Sequence, residues 1–245
     1  MIKMTALSLF LFSTSVVAAN SDCHILLAGD STMQKVNPAK NPDFGWGQVL
    51  PLIAKKNTVI NNHAKGGRST RTFIEEGRWK NLLNEIKQDS WVFIQFGHND
   101  ASYKKKERYT APVDFQLNLE KFVKDVRTQG GKPLLITPVM RRWFDDAGKL
   151  RDAHGIYPSL VRQVASGKNV PLIDLFESSS SLLVDLGVKK SLPIFSHVKA
   201  GAHSCCPEGR EDNTHFSQLG AKRVSALVVE EIKHKKIMPL ASCFL

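Results

Sequence analysis

The sequence has no long hydrophobic run beyond its N-terminus. After residue 19, no stretch reaches the roughly 18 consecutive apolar residues that a membrane-spanning helix requires, so we expect no membrane insertion of that part. There is also no internal repeat, no low-complexity tract and no linker rich in proline, glycine and serine. We therefore expect one domain, residues 20–245, long enough to bury a single sizeable core.

Cysteines are few, and their spacing fits no metal site. The four are Cys23, Cys205, Cys206 and Cys243, and none forms the CxxC pair that tetrahedral zinc sites commonly use. An even number of cysteines permits disulfides in an exported chain.

Acidic residues are also scarce. The chain has 34 Lys and Arg against 23 Asp and Glu, a formal charge of +11. Such an excess attracts polyanions, which outside the cytoplasm include acidic polysaccharide, anionic lipid surfaces and released nucleic acid. Charge alone does not choose among them. The densest run, residues 104–106, is interpreted as a solvated surface.

The N-terminus has the pattern of a bacterial signal peptide. Lys3 precedes an apolar run over residues 6–12, and small residues follow, ending in Val17-Ala18-Ala19. We predict a signal peptide over residues 1–19 and a secreted or periplasmic protein. The alternative is a buried N-terminal helix, which the shortness of the run disfavours.

Apolar runs alternate with helical segments along the rest of the chain. Predicted strands cover residues 24–28, 58–61, 91–96, 133–137 and 170–175, and predicted helices cover 46–55, 70–86, 113–128, 154–166 and 217–234. This alternation is typical of a parallel sheet covered on both faces. Because crossovers are right-handed, we predict a three-layer α/β/α doubly wound domain with a five-stranded sheet in flavodoxin-like order. Residues 187–212 lack periodicity, and loops of that length are usually functional.

Three short polar blocks follow predicted strands, at the sheet edge where this architecture binds ligands. Gly29-Asp30-Ser31 follows the first strand, and the serine backbone N–H can face an oxyanion. Gly66-Gly67-Arg68-Ser69 follows the second, where paired glycines allow close backbone approach to a ligand. Gly97-His98-Asn99-Asp100 follows the third, where the Asn99 amide can donate a hydrogen bond.

A fourth block, Asp212-Asn213-Thr214-His215, precedes the last predicted helix. The three-residue offset allows Asp212 to hydrogen-bond the His215 ring, leaving the other ring nitrogen to deprotonate Ser31. Each block alone has an ordinary structural explanation as a helix cap or turn. Together they supply the different components of acyl transfer.

The blocks GDS, GGRS, GHND and DNTH, in this order and spacing, resemble the Ser-Gly-Asn-His hydrolase superfamily, often called GDSL-like. Longer strings, GRSTRTFIEEGRW, FGHND, TPVMRRWF and EDNTHFSQLGA, are most similar to the rhamnogalacturonan and pectin acetylesterase branch. The adjacent cysteines before DNTH are not part of the family pattern and leave the conformation of that loop open.

The resemblance implies a role for each matched residue. Ser31 is the expected nucleophile, His215 the base and Asp212 its partner, while Gly67 and Asn99 join the Ser31 amide as oxyanion donors. It implies removal of acyl groups, chiefly acetyl, from rhamnogalacturonan or pectin, with no metal or organic cofactor. We expect a monomer acting on acetylated acidic polysaccharide. Substrate-binding candidates near the site are Arg68, Arg71, Arg141 and Arg142, since guanidinium groups pair with uronate carboxylates.

Two other functions are compatible with parts of the sequence. The same machinery could act on another acetylated glycan or on lipid acyl esters, as in lysophospholipases and thioesterases, but arginines and lysines flank the site where a lipid enzyme needs an apolar groove. A non-catalytic binder of acidic polymer or nucleic acid explains the charge but not the four blocks. No recognisable nucleic-acid module is present, so we expect no nucleic-acid partner.

The predicted fold also places the cysteines. Cys23 precedes the first strand at the end of the sheet opposite the site, and the final helix returns Cys243 to that same side. Cys205 and Cys206 lie on the site side, separated from Cys23 by roughly the length of the first strand, about 25 Å, which no disulfide spans. We therefore predict a Cys23–Cys243 disulfide, with Cys205 and Cys206 paired together or free. Four unpaired thiols are the alternative.

Overall fold

The computed structural model describes residues 23–245, which form a five-stranded sheet between two layers of helices. The strands are β1 (Cys23–Gly29), β2 (Thr58–Asn62), β3 (Trp91–Gln95), β4 (Lys132–Ile136) and β5 (Leu172–Ile173). All strand pairs are parallel, and the order is β2-β1-β3-β4-β5. The predicted flavodoxin-like order is confirmed.

Helices connect the strands and cover both faces of the sheet. Their bounds are α1 (Trp46–Val49), α2 (Thr70–Glu75), α3 (Arg78–Leu83), α4 (Pro112–Thr128), α5 (Tyr157–Gly167), α6 (Leu175–Lys190) and α7 (Gln218–His234). Short 3-10 turns cover Leu50–Ile53, Leu192–Ile194 and Leu240–Cys243.

The three layers follow from the alternation of side chains along each strand. In β1, Ile25 and Leu27 pack in a cluster that contains residues of α1, α6 and α7. Leu26 and Ala28 point the other way and pack with residues of α2, α3, α4 and α5. Because all four are fully buried, both faces of the strand lie in apolar cores, and the three-layer prediction is confirmed.

Two helices differ from the predicted bounds. The segment predicted as one helix over 70–86 is split, because Gly77 adopts a left-handed conformation with φ +71° between α2 and α3. Only Trp46–Val49 of the segment predicted over 46–55 is α-helical, and a 3-10 turn containing Pro51 follows it.

The segment after β5 forms helix α6, which begins at Leu175, ahead of its serine run. Asp174 accepts a hydrogen bond from the Glu177 backbone N–H at 3.4 Å and caps α6, so β5 is shorter than the predicted strand. Residues 191–212 contain one short 3-10 turn, take part in two antiparallel bridges, Val198 to Arg210 and Phe195 to Phe216, and are otherwise irregular. The predicted non-periodic segment, residues 187–212, therefore matches the structure from residue 191 onward, where α6 has ended.

The disulfide prediction is confirmed. Cys23 and Cys243 are bonded, with their Cα atoms 5.9 Å apart, and tie the start of β1 to the end of the chain. Cys205 and Cys206 pair with each other. None of the helices that the structure describes is long and apolar enough to span a membrane. The predicted signal peptide, residues 1–19, lies outside the described residues.

Candidate active site

Ser31 is held in a tight turn at the carboxyl end of β1. A Cβ on Gly29 would lie 2.9 Å from the Gln95 carbonyl oxygen, so only glycine allows this close approach to β3. The buried Asp30 carboxylate accepts hydrogen bonds from the Thr32 backbone N–H at 2.9 Å and from the Thr32 hydroxyl at 2.8 Å. Burial raises the pKa of Asp30 even though these bonds oppose the shift. The turn therefore fixes the backbone on both sides of Ser31.

His215 joins Ser31 to Asp212 in one hydrogen-bonded chain. Its Nε2 lies 2.8 Å from Ser31 Oγ, and its Nδ1 lies 2.7 Å from Asp212 Oδ2. Asp212 Oδ1 accepts from the backbone N–H groups of Thr214 and His215 at 2.8 and 2.9 Å. The carboxylate thus leaves Nε2 as the acceptor for the serine proton when the imidazole is neutral. The structure brings together three residues that the sequence predicted to form the site.

The carboxylates around His215 stabilise the protonated form of its imidazole. Burial lowers the pKa of His215, but the hydrogen bond and charge of Asp212, with the charges of Asp43 and Asp30, raise it above its ordinary value. Burial also raises the pKa of Asp212, yet the hydrogen bonds from His215 and Thr214 outweigh it and hold that pKa well below its usual range. Asp212 is therefore ionised while His215 exchanges its proton.

A second carboxylate faces the same histidine and was not identified from the sequence. Asp43 Oδ2 lies 4.0 Å from His215 Nδ1, and the Asp43 carboxylate is paired with Arg210. Asp43, Asp212 and His215 lie close enough to hold a cation. Their donor atoms already serve Arg210, His215 and Ser31, so the arrangement is complete without one.

Two loops line the cavity beside Ser31: one contains Gly67 and the other contains Asn99. Gly67 has φ +80°, a left-handed conformation that favours glycine. Asn99 Nδ2 donates to the Arg68 carbonyl at 2.9 Å, which leaves its second amide hydrogen free, and Asn99 Oδ1 accepts from Arg108 at 3.2 Å. The backbone N–H groups of Ser31 and Gly67 have no acceptor within the part of the chain that the structure describes. The three predicted donors are thus available to an oxyanion.

Buried Asp100 ties these loops together. Its Oδ1 accepts from the backbone N–H and the hydroxyl of Thr70 at 2.9 and 2.6 Å, linking the segment after β3 to the start of α2. Burial raises the pKa of Asp100 to about 6, against the opposing effect of these bonds. Asp100 therefore positions Asn99 relative to Gly67 without facing the cavity.

Ser31, Gly67, Asn99 and His215 line one cavity of about 450 Å³. A groove of about 580 Å³ beside α4 is larger, but neither a serine nor a histidine lines it. We therefore place the site in the smaller cavity. Other residues at its wall are Gln34, Asn41, Asp43, His98, Lys105, Arg108 and Arg141.

Of the four arginines predicted to bind substrate, one lines the cavity and three do not. Arg141 lines the cavity and donates to the His98 carbonyl at 3.2 Å. Arg68 and Arg71 are paired with Glu76 and Glu75, respectively.

Arg142 is buried and donates to Asn213 Oδ1 at 2.8 Å, to the Val188 carbonyl at 2.6 Å and to Ser191 Oγ at 3.0 Å, so it supports the segment before His215. The prediction that Arg68, Arg71 and Arg142 hold substrate gains no support from these positions, because intramolecular acceptors engage all three guanidinium groups.

Comparison with known proteins gives matches over most of the chain. The model of the GDSL-like lipase/acylhydrolase family matches residues 27–223. Rhamnogalacturonan acetylesterase RhgT of Bacillus subtilis is 40% identical over 210 residues, covering 85% of this chain and 89% of that protein. The probable rhamnogalacturonan acetylesterase YesY of the same organism is also 40% identical, over 86% of this chain and 92% of its own length.

Two solved structures have similar folds. The YxiM protein of Bacillus subtilis superimposes with a TM-score of 0.75 at 27% identity; the match covers 89% of this chain and 58% of that one, so this chain spans little more than half of it. The acetylxylan esterase Axe2 of Geobacillus stearothermophilus superimposes with a TM-score of 0.60 at 16% identity, over 85% of this chain and 93% of that one. At that identity the likeness concerns the fold alone.

Proposed function

The chain belongs to the GDSL-like lipase/acylhydrolase family and is a carboxylic ester hydrolase, and we propose that it removes acetyl groups from rhamnogalacturonan or pectin through an acyl intermediate on Ser31. The observation that carries this proposal is the continuous hydrogen-bonded chain from Ser31 Oγ through His215 to Asp212, next to three unused N–H donors.

In the first stage, Ser31 Oγ attacks the ester carbonyl carbon while His215 Nε2 accepts the hydroxyl proton. The carbonyl oxygen becomes an oxyanion, which the N–H groups of Ser31, Gly67 and Asn99 stabilise. When the tetrahedral intermediate collapses, the bond to the sugar oxygen breaks. His215 gives its proton to that oxygen, so the sugar leaves as an alcohol and the acetyl group stays on Ser31.

In the second stage, water replaces the sugar hydroxyl. His215 removes a proton from the water, which attacks the acetyl-serine carbonyl, and the same donors hold the second oxyanion. Collapse returns the proton to Ser31 Oγ and releases acetic acid. Asp212 remains ionised throughout and stabilises the imidazolium in both stages.

The substrate assignment rests on the relatives and on the cavity wall. Two proteins that share 40% of their residues with this chain are named as established or probable rhamnogalacturonan acetylesterases. Lys105, Arg108 and Arg141 lie on the wall together with polar Gln34 and Asn41. A cavity of this composition suits a short acyl group on a polar, acidic chain better than a fatty acyl tail.

We also propose that the protein is exported. The two disulfides require an oxidising compartment to form and persist, and the sequence of residues 1–19 has the signal-peptide pattern. A secreted or periplasmic enzyme would meet polymeric plant cell-wall material outside the cytoplasm.

Acetate release from a set of acetylated substrates tests the function. We expect turnover of acetylated rhamnogalacturonan and pectin to exceed that of acetyl-xylan, acetyl-chitin and an octanoyl ester, and the Ser31→Ala variant to be inactive on all of them. Preferential cleavage of the octanoyl ester would contradict the carbohydrate assignment, and preference for acetyl-xylan would move the assignment to another glycan.

A further inference from the structure

Positive charge is concentrated on one wall of the cavity. Lys105, Arg108 and Arg141 all line it. The one carboxylate among the lining residues is Asp43, and its pairing with Arg210 offsets part of its charge. The run 104–106, interpreted from the sequence as a solvated surface, therefore contributes Lys105 to the site.

Hydrogen bonds hold Arg108 and the backbone around it. Its Nη1 donates to Asn99 Oδ1 at 3.2 Å. Arg71 donates to the carbonyl oxygens of Lys106, Glu107 and Tyr109 at 3.1, 3.0 and 3.2 Å, which fixes the backbone on both sides of Arg108. The guanidinium is thus anchored next to a predicted oxyanion donor.

The charge of Arg108 has only a weak internal counterion within the described residues. Arg108 Nε lies 3.7 Å from Glu107 Oε1, an ion pair longer than a hydrogen bond, and that glutamate side chain is 71% exposed, so solvent screens the pair. Nε itself is buried and has no acceptor at hydrogen-bond distance in the part of the chain that the structure describes. The Arg108 side chain is 23% exposed, so a ligand can reach the guanidinium from the cavity through its terminal nitrogens.

Arg141 adds a second cation to the same space. Among the described residues, its guanidinium donates hydrogen bonds to His98 alone. Burial lowers the pKa of Arg141; the charge of Asp30 opposes that shift, and the charge of Arg108 adds to it. Two neighbouring guanidinium groups that repel each other favour binding of an anion between them.

We infer that Arg108, with Arg141 and Lys105 beside it, forms a subsite for a uronate carboxylate of the substrate chain, close to the ester that is cleaved. This inference rests on the proposed function, and it assigns recognition of the acidic sugar to Arg108 rather than to Arg68, Arg71 or Arg142. Planar carboxylate matches the guanidinium fork bidentately. Because Arg108 contacts Asn99, a carboxylate bound there places its sugar next to the oxyanion donors.

The test compares two substrates that differ only in charge: an acetylated oligogalacturonide with free carboxylates and the same oligosaccharide with its carboxylates methyl-esterified. For the wild-type enzyme we expect a KM roughly tenfold to a hundredfold lower for the free acid, the range for hydrogen bonds to a charged group. In Arg108→Gln most of this difference should disappear, because glutamine carries no charge, although Arg141 and Lys105 remain.

The ratio of the two KM values reports recognition of the carboxylate. Damage to the site has a different effect, since a displaced Asn99 lowers kcat on both substrates. Arg108→Lys should retain part of the ratio because the charge remains. Arg223→Gln, an equal charge change at an exposed position on α7, should retain all of it. Thermal unfolding of each variant checks that it is folded.

Equal KM values for the two substrates in the wild-type enzyme would overturn the inference while leaving the esterase assignment intact. A ratio unchanged in Arg108→Gln would also overturn it. Absence of acetate release from either substrate would instead overturn the proposed function on which the inference rests.

Discussion

Replacing Asp43 by Asn should lower the pKa of His215 and move the acid limb of the pH–rate profile to lower pH. The Asp43 carboxylate lies 4.0 Å from His215 Nδ1. A negative charge at that distance favours the imidazolium, so it raises the pKa, and its removal lowers it. Because activity requires neutral His215, the variant should become active at lower pH than the wild-type enzyme.

The size of the shift follows from the distance and the pairing of Asp43 with Arg210. Two unit charges about 4 Å apart interact by about 1 kcal/mol in water and about 4 kcal/mol at an effective dielectric constant of about 20. One pKa unit corresponds to about 1.4 kcal/mol. The Arg210 cation offsets part of the Asp43 charge, so we expect the lower end of this range, a shift of about half to one unit.

The assay is kcat/KM for p-nitrophenyl acetate as a function of pH, which reports the free enzyme. The position of the limb is independent of any loss in maximal rate that a disturbed loop causes. The double variant Asp43→Asn, Arg210→Met removes the cation as well and should reverse part of the shift. An acid limb that stays in place, or that moves to higher pH, would refute the electrostatic role of Asp43.

Three further variants test an oxyanion donor, a buried arginine and the disulfide that joins the chain ends. Asn99→Ala should lower kcat about a hundredfold or more, because one oxyanion donor is lost; near-normal turnover would exclude that role. Arg142→Met removes the hydrogen bonds that the guanidinium donates to Asn213 Oδ1, the Val188 carbonyl and Ser191 Oγ, so we expect a loss of about 3 kcal/mol in urea unfolding together with lower kcat; unchanged stability would show that Arg142 does not support the segment before His215. The Cys23→Ser, Cys243→Ser variant opens a loop of 220 residues, which the chain-entropy model values at about 5 kcal/mol; a urea midpoint equal to that of the wild-type protein would show that the bond contributes little.

The sheet could be predicted because its central strands, β1, β3 and β4, are largely buried on both faces. The run WVFIQF contains no polar residue before Gln95, and β3 is buried throughout, as that composition requires. The disulfide between Cys23 and Cys243 could then be predicted from chain direction alone. The division of the helix at Gly77 could not be predicted, because a glycine within a helical pattern can adopt either a right-handed or a left-handed backbone conformation.

Helix α6 was harder to predict because serine has a modest helix propensity and competes for backbone hydrogen bonds. In the structure those hydroxyls are satisfied within the helix. Ser178, Ser179 and Ser180 donate to the carbonyl oxygens four residues earlier, at 3.3, 2.5 and 2.6 Å. The serine run is therefore compatible with a helix that begins at its Asp174 cap, ahead of the run.

Within the site, the residues at the strand ends and in the DNTH block were predictable, and those that loops bring to the cavity were not. Asp212 and His215 are three residues apart, so their contact follows from a single turn of chain. Asp43 and Arg108 reach the same cavity from loops that precede α1 and α4. In the sequence, Asp43 is an aspartate shortly before Trp46, and Arg108 is an arginine shortly after a lysine run. Such patterns are more often surface features.

The proposed mechanism requires Ser31 to carry the acyl group during turnover. Acid quenching of the wild-type enzyme during hydrolysis of an acetyl ester, followed by intact-mass measurement and peptide mapping, tests it directly. We predict the added mass of one acetyl group, located on the peptide that contains Ser31 and absent from Ser31→Ala, which should be inactive. Acetate release by Ser31→Ala at a rate near that of the wild-type enzyme, or an acetyl group mapped to another residue, would contradict the mechanism.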